Sequence, residues 1–557
     1  MPEEKVIGKT SATERDPNTS EKFFFWLAPD VKANPFDIVE VKHSKGPSNT
    51  YGLITNIEYL TDATNHLSNF ISSNFGNVSE EPNTPRQGTS IAHVNVLSND
   101  ADIYMPLETD RPVCFATKEG IEKALGVDTL MKERPADAIP AGLIKLSSGA
   151  VAVACIDRRY VAGPESAHIN ITGISGLATK TSYAMFLLQS ILQKADDPNK
   201  IAVIILNVKH SDLLHIDEKG TDLATEQKER WEAMGLKPEP FKQVHYFLPK
   251  GKIKGQPNSY TPWPNVYLTY AYDLPHTADK LDFLFAQVPD TYATLESIIA
   301  EIREGIKNGT RDFQNVHSWD NLLNGPPLFE SGTQSVAEDW RKKKNIAASS
   351  IGVFRRHMRR MILNRNTGVF VNSLAMHEKV LSEEIKKIKG GHIYVVDIAK
   401  LQDEEQTLVF GDLLRTIYEI KAEGSEDESG KPIEAPEKVI IFVDELNKYA
   451  PTGKSTSSIT EQVIDIASRG RSLGVVLLSA QQFMSQVHPQ VTGNCATKII
   501  GRTGSPEASA HDYRFLDDEL KMSVTRLAKG ELLLSHAVYR QPVKIIFPKP
   551  AYKQPEK

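Results

Sequence analysis

Val439-Ile-Ile-Phe-Val-Asp-Glu445 decides the fold: five consecutive apolar residues, four of them β-branched, run straight into two acids. A run without polar alternation reads as a strand buried on both faces, as in a parallel sheet. Asp444 and Glu445 then stand at its carboxyl end, where open α/β sheets place their ligands. An uncompensated carboxylate pair at the edge of a core is costly, so a cation or a reaction should account for it. In phosphoryl-transfer enzymes the first such acid holds Mg²⁺ and the second polarises the attacking water. The plainer alternative is a strand end running into an acidic loop.

Upstream, Ile169-Asn-Ile-Thr-Gly173-Ile-Ser-Gly-Leu-Ala-Thr-Lys180-Thr181 begins as a short strand and passes through a glycine turn. It then enters an apolar-periodic helix from Ser182 to Leu192. That succession is the architecture of a phosphate-binding loop. Backbone N–H groups and a helix N-terminus cradle phosphates, a lysine neutralises them, and a threonine hydroxyl reaches Mg²⁺. The expected contacts to ATP come from Gly173, Ser175, Gly176, Leu177, Ala178, Thr179, Lys180, Thr181 and Ser182, with Thr181 and Asp444 on the metal. Thr179 stands where the GxxxxGK[ST] pattern has glycine, and Gly176 lies one residue too far from the lysine. The extra residue and the added β-carbon are expected to widen the cradle. A glycine turn ahead of a core helix is the alternative for this stretch alone.

Beyond the acids come Ile466-Ala-Ser-Arg-Gly-Arg471 and Leu478-Ser-Ala-Gln-Gln482. A strand ending in Gln481 sets its amide between a γ-phosphate and the acid pair. Arg469, Arg471 or Arg502 is suited to stabilising transition-state charge in a neighbouring subunit. Capping a helix C-terminus and forming surface ion pairs is the alternative for Arg469 and Arg471. Basic clusters at Arg341–Lys344 and Phe354–Leu363 suit either a nucleic-acid backbone or a solvated helix face.

The chain has 557 residues and a net charge of −6, so total charge does not mark a nucleic-acid binder and any such surface is local. Cys114, Cys155 and Cys495 are scattered without metal-ligand spacing and are expected as buried hydrophobes. No apolar run approaches the roughly 20 residues that span a bilayer, and the first residues lack an apolar signal core, so a cytoplasmic location is expected. Residues 1–160 read as a β-rich domain suited to a small closed barrel, on runs such as Lys22–Leu27, Phe36–Lys42, Tyr51–Glu58 and Ala92–Leu97. Residues 161–548 alternate strands (Ile201–Leu206, His392–Asp397, Val439–Val443, Gly474–Leu478, Thr497–Gly501) with helices, the pattern of a three-layer, largely parallel α/β sheet. Within them, about 275–390 reads as a helical insertion, 420–437 as an acidic surface loop, and 549–557 as a loose tail.

With these residues assembled, the chain resembles the HerA-like branch of the HerA/FtsK ATPase superfamily over nearly its whole length. The resemblance is carried by Gly8–Leu27, Asn34–Lys42 and Thr50–Glu58 in the barrel and by His168–Gly173 before the loop. VDELNKYAP (Val443–Pro451) carries it at the acids, and Arg469–Gln482 with Val487–Arg502 carries it most specifically. It implies a RecA-like P-loop ATPase core with a helical insertion behind an N-terminal β-barrel that serves assembly. It also implies a homohexameric ring that hydrolyses Mg-ATP and pumps double-stranded DNA through its channel. Such rings work with a NurA-type nuclease or an antiviral effector, for example a sirtuin-like NAD-consuming enzyme. Carried over, Lys180 and Thr181 bind phosphate and Mg²⁺, Asp444 organises the metal, Glu445 activates water and Gln481 senses the γ-phosphate. One of Arg469, Arg471 or Arg502 completes a neighbour's site. Asn207–Leu214 lacks the acidic pattern of the DNA-end-processing members, which points to a defence member. The rival expectation is a nucleotide-stabilised ring that assembles and regulates an effector with little translocation.

Overall fold

The computed structural model describes residues 5–44, 48–82, 86–162, 165, 168–174, 180–220, 223–288, 294–310, 313–324, 344–363, 367–426, 432–453 and 457–554. The N-terminal stretch supplies six strands: β1 (Val6–Ser11), β2 (Lys22–Leu27), β3 (Ile38–Lys42), β4 (Asn49–Thr61), β5 (Gly88–Asn99) and β6 (Pro112–Phe115). They form a closed antiparallel barrel in the order β1-β2-β5-β4-β3-β6. Period-two alternation builds it: Phe23 and Phe25 of β2 point inward against Val39, Val41, Ile54 and Val94. Closure leaves no unpaired edge. β4 and β5 outrun the barrel, and β4, the helix His66–Ser72 and the turn Asn74–Gly76 present Tyr59, Leu60, Leu67, Phe70 and Phe75 to solvent.

The remaining chain builds one large sheet. Its parallel members are β9 (His168–Thr172), β10 (Ile201–Asn207), β11 (Val244–Pro249), β12 (Leu268–Tyr270), β13 (Glu378–Lys379), β14 (Ile393–Asp397), β17 (Lys438–Asp444), β18 (Val475–Gln481) and β19 (Cys495–Ile500). β20 (Glu531–His536), β21 (Val543–Ile546), β7 (Ala138–Lys145) and β8 (Val151–Asp157) extend it antiparallel. The 13 strands lie in the order β13-β12-β11-β14-β10-β17-β18-β9-β19-β20-β21-β7-β8. The hairpin β7–β8 lies within the first 160 residues, yet it pairs into this sheet and not into the barrel. A small pair, β15 (Ser425–Glu426) and β16 (Pro432–Ile433), interrupts the stretch expected as a loop.

The fold class read from the sequence is borne out: a barrel precedes a RecA-like α/β core whose strands run β19-β9-β18-β17-β10 at its centre. Both faces of that centre are buried, and alternate residues feed two cores. Ile201, Val203 and Ile205 of β10 join Ile440 and Phe442 of β17 on one side. Ala202, Ile204 and Leu206 join Val439, Ile441 and Val443 on the other, beneath helices Thr294–Lys307, Ala348–Ile362 and Asp403–Ala422. Unbroken apolar runs are what a strand covered on both faces requires.

The closing segment, as far as residue 554, corrects the expectation of a loose tail; residues 555–557 lie outside the described residues. Tyr552 is buried beside Phe241 with ring centroids 6.1 Å apart, and the Trp231 indole N–H donates to the Lys549 carbonyl at 3.0 Å. An aromatic ring and satisfied backbone groups outweigh the entropy of a few free residues. The three cysteines are free and buried, as expected. Among the described residues no helix is long and apolar enough to cross a membrane.

His168, the first residue of the central strand β9, ties the amino end of that strand to the helix Ser458–Leu473 and to β18. Its Nδ1 accepts from the Leu477 N–H at 3.0 Å, so Nε2 carries the proton and donates to the Ala467 carbonyl at 3.1 Å. Burial pushes this imidazole down from 6.5 to about 4. The unfolded chain therefore binds the proton more tightly across that window, and the stability His168 contributes is present above pH 6.5 and lost as pH falls towards 4. His168→Asn is expected to lower the thermal midpoint above pH 6.5 and to differ progressively less from the wild type towards pH 4. A gap that widens on acidification would contradict a neutral His168.

Candidate functional site

Register across the carboxyl edge of the parallel strands sets the site. Asp444 of β17 lies level with Ala480 of β18, and Gln481 lies level with Thr172 of β9. β18, which ends at Gln481, thus separates the acid strand from the strand that leads to Lys180. Thr172 is in turn level with Ile500 of β19. Gly173 follows at φ +151°, and a Cβ there would meet Gly501 Cα at 3.1 Å, so the chain turns here only as glycine.

Lys180 opens the helix Lys180–Lys194, whose first turn holds no acid. A cation at that end opposes the helix dipole, a cost that an anion at the same place would offset. Its Nζ is buried, has no hydrogen-bond partner among the described residues, and lies 3.6 Å from Glu445 Oε1. Burial pushes the ammonium below its ordinary pKa, against the pull of Glu445 and Asp444. Asp444 is buried. Glu445 adopts φ +58°, a left-handed conformation that costs a non-glycine residue roughly 1–2 kcal/mol. Its N–H donates to the Ala480 carbonyl at 2.6 Å, which holds the turn.

The geometry therefore brings together Lys180, Asp444 and Glu445, with Gln481 at the adjoining strand end. Gln481 is fully buried, and neither atom of its amide has a partner among the described residues. Unpartnered ammonium and amide groups beside two carboxylates fit a phosphate chain with a divalent cation on Asp444 and the Thr181 hydroxyl, which stands half-buried in the first helical turn. Ser182 is also half-buried there. Ser175, Gly176, Leu177, Ala178 and Thr179 lie outside the described residues.

The arginines divide. Arg469 and Arg471 sit at the end of the helix Ser458–Leu473, which returns the chain from the carboxyl end of β17 to the start of β18. They therefore lie at the opposite edge of the sheet from their own Asp444, and Arg469 pairs with Asp465 at 3.0 Å. Arg502 follows β19 on the carboxyl edge, is exposed, and its carbonyl accepts the Ile174 N–H at 2.8 Å. In the basic helix, Ile351, Phe354 and Met358 are buried, Arg359 donates to Asn324 Oδ1 at 2.7 Å, and Arg360 pairs with Glu404. Of the other basic cluster, Lys344 pairs with Glu301 at 2.6 Å, and residues 341–343 lie outside the described residues.

One site residue escaped the sequence reading. Lys209, two residues past β10, places Nζ 2.8 Å from Asp444 Oδ2 and 3.2 Å from Glu445 Oε1. Burial disfavours its charge, yet Asp444 and Glu445 together raise its pKa above the ordinary lysine value. A basic residue just beyond an apolar strand, on the edge where ligands bind, was the available signal.

No protein-family model matches the chain. A probable helicase of Methanocaldococcus jannaschii is 25% identical over 180 residues, 31% of this chain and 32% of its own length. The DNA double-strand break repair helicase HerA of Pyrococcus furiosus is 23% identical over 186 residues, 29% of this chain and 34% of its own length. The chain thus spans about a third of the length of these curated relatives. Among solved structures, the unbound bacterial conjugative coupling protein TrwB is 11% identical with a TM-score of 0.46, over 76% of this chain and 92% of its own. VirB4 of Thermoanaerobacter pseudethanolicus is 14% identical with a TM-score of 0.42, over 76% and 97% respectively. The curated helicases bear out the resemblance: the chain is like the ATPases of the HerA/FtsK superfamily.

Each unpartnered polar atom of the buried Gln481 amide costs about 1–3 kcal/mol when nothing is bound. Gln481→Leu is therefore expected to stabilise the ligand-free protein by about that amount in chemical denaturation. Destabilisation would mean that the amide already has partners.

Proposed function

We propose that the chain is an ATP-dependent double-stranded DNA translocase of helicase type, working as a homohexameric ring with an effector enzyme such as a nuclease or an NAD-consuming enzyme. The observation that carries the reading is the convergence of Lys180 on the Asp444–Glu445 pair, with Nζ 3.6 Å from Glu445 Oε1. An ATP hydrolase needs a cation for the phosphates, an acid for the metal and an acid for the water within one small volume. The names of the two curated relatives, both helicases and one of double-strand break repair, support duplex DNA as the track.

In this reading Lys180 neutralises the terminal phosphates. Thr181 and Asp444 hold Mg²⁺, which when bound spreads the charge of the phosphate oxygens. Glu445, aimed by its left-handed turn, takes the proton of the attacking water. Gln481 hydrogen-bonds between water and γ-phosphate and reports their state along β18. Arg502 is favoured over Arg469 and Arg471 for its own carboxyl edge. Arg469 and Arg471, displayed on the opposite edge, suit contact with a neighbouring protomer.

Steady-state ATP turnover with and without duplex DNA tests the proposal. Turnover is expected to rise with DNA, and Glu445→Gln to lower it about 10²- to 10⁴-fold, the usual worth of a positioned general base. ATP should still raise the thermal midpoint of that variant, whereas Lys180→Ala should abolish the rise. Absent turnover in the wild type, with partner activation indifferent to Glu445→Gln, would favour a nucleotide-stabilised scaffold instead.

A further inference from the structure

Two lysines meet two carboxylates at this site, and only one of those lysines belongs to the phosphate loop. Lys180 approaches from the β9 side and touches Glu445 alone. Lys209 approaches from the β10 side and bridges Asp444 and Glu445 at 2.8 and 3.2 Å. Its position is built. Asn207, the last residue of β10, donates its amide to the His210 carbonyl at 2.7 Å and to the buried Asp397 Oδ1 at 2.7 Å. His210 itself is held at φ +43°. That stapled turn throws Lys209 sideways onto the neighbouring strand. Its side chain keeps 43% of its exposure, against 4% for Asp444, so it covers the acids from the solvent side.

We propose that Lys209 is a built-in counterion that occupies the metal side of the Asp444–Glu445 pair until nucleotide arrives, making divalent-metal binding conditional on ATP. The proposal rests on the reading of these two acids as the metal and water groups. Two ammonium and two carboxylate groups sum to no charge. A free divalent cation entering that quartet meets Lys209 in its place and Lys180 beside it, and gains little. A cation arriving with a triphosphate brings net negative charge, which both lysines can turn to meet. Lys209 then leaves the acids through its exposed side and moves towards the phosphate oxygens. The consequence is an order: the acids are not loaded with metal ahead of nucleotide.

Mn²⁺ binding to the nucleotide-free protein, read by electron paramagnetic resonance of the free ion, tests this directly. Lys209→Met is expected to bind Mn²⁺ tighter than the wild type by roughly tenfold or more, since it removes a positive charge in contact with both acids. Lys209→Arg, which keeps the charge, is expected to stay as weak as the wild type. Adding Asp444→Asn to Lys209→Met should erase the gain. Unchanged or weaker Mn²⁺ binding by a Lys209→Met protein of unaltered thermal midpoint would overturn the proposal. So would a gain that survives Asp444→Asn. Loss of tripolyphosphate binding in chelator, with Mn²⁺ affinity unchanged, would assign Lys209 to phosphate alone and overturn it equally. Failure here leaves Glu445-dependent ATP turnover intact. Absent turnover with the Mn²⁺ gain present would instead sink the function and keep the counterion.

Discussion

The carboxyl ends of β10, β17, β18 and β9 fix where Lys209, Asp444, Gln481 and Lys180 stand, and those strands cannot move independently. Each is buried on both faces, so sliding one by a single residue would turn its whole apolar set to the wrong side. Register is therefore the source of precision at the site. Asp444 is level with Ala480, Ile171 and Ile499, and the next row joins Gln481, Thr172 and Ile500, so two adjacent rows run from the acids to the strand that precedes Arg502. The helices laid over both faces provide the rigidity, and the strand ends provide the chemistry.

Several unfavourable features gather at those ends. A buried ammonium and a buried amide that have no hydrogen-bond partner among the described residues, and a glutamate in a left-handed turn, are each unfavourable alone. They gather at the carboxyl ends of neighbouring strands. Some other buried charges are paired within the fold. Lys280, for example, lies 2.7 Å from Asp412 Oδ1, while Tyr272 donates to Asp412 Oδ2 at 3.0 Å.

Much of this was legible in sequence because it is written in unbroken apolar runs. Val439–Val443 and Ile201–Leu206 have no polar residue to suggest a solvent face, and each ends on the edge where the chemistry sits. Lys209 was not legible, because a lone lysine after a strand looks like loop charge until β10 and β17 are known to be neighbours. Strand order is a long-range property and leaves no local mark. The same limit hid the pairing of β7–β8 into the large sheet and the docking of Tyr552. The arginines were ambiguous for a related reason. Their spacing looks alike in sequence, and only the return of a helix to the sheet's far edge sets Arg469 and Arg471 apart from Arg502.

The three cysteines have a practical meaning beyond the fold. Cys114, Cys155 and Cys495 are all buried, and burial pushes the Cys155 and Cys495 thiols up to about 12. Thiolate is the reactive form, so native protein offers maleimide and spin-label reagents almost nothing to attack. A cysteine introduced on either rim of the sheet would thus be labelled against a silent background. Distances between two such labels become measurable without first stripping the chain of its own sulfur.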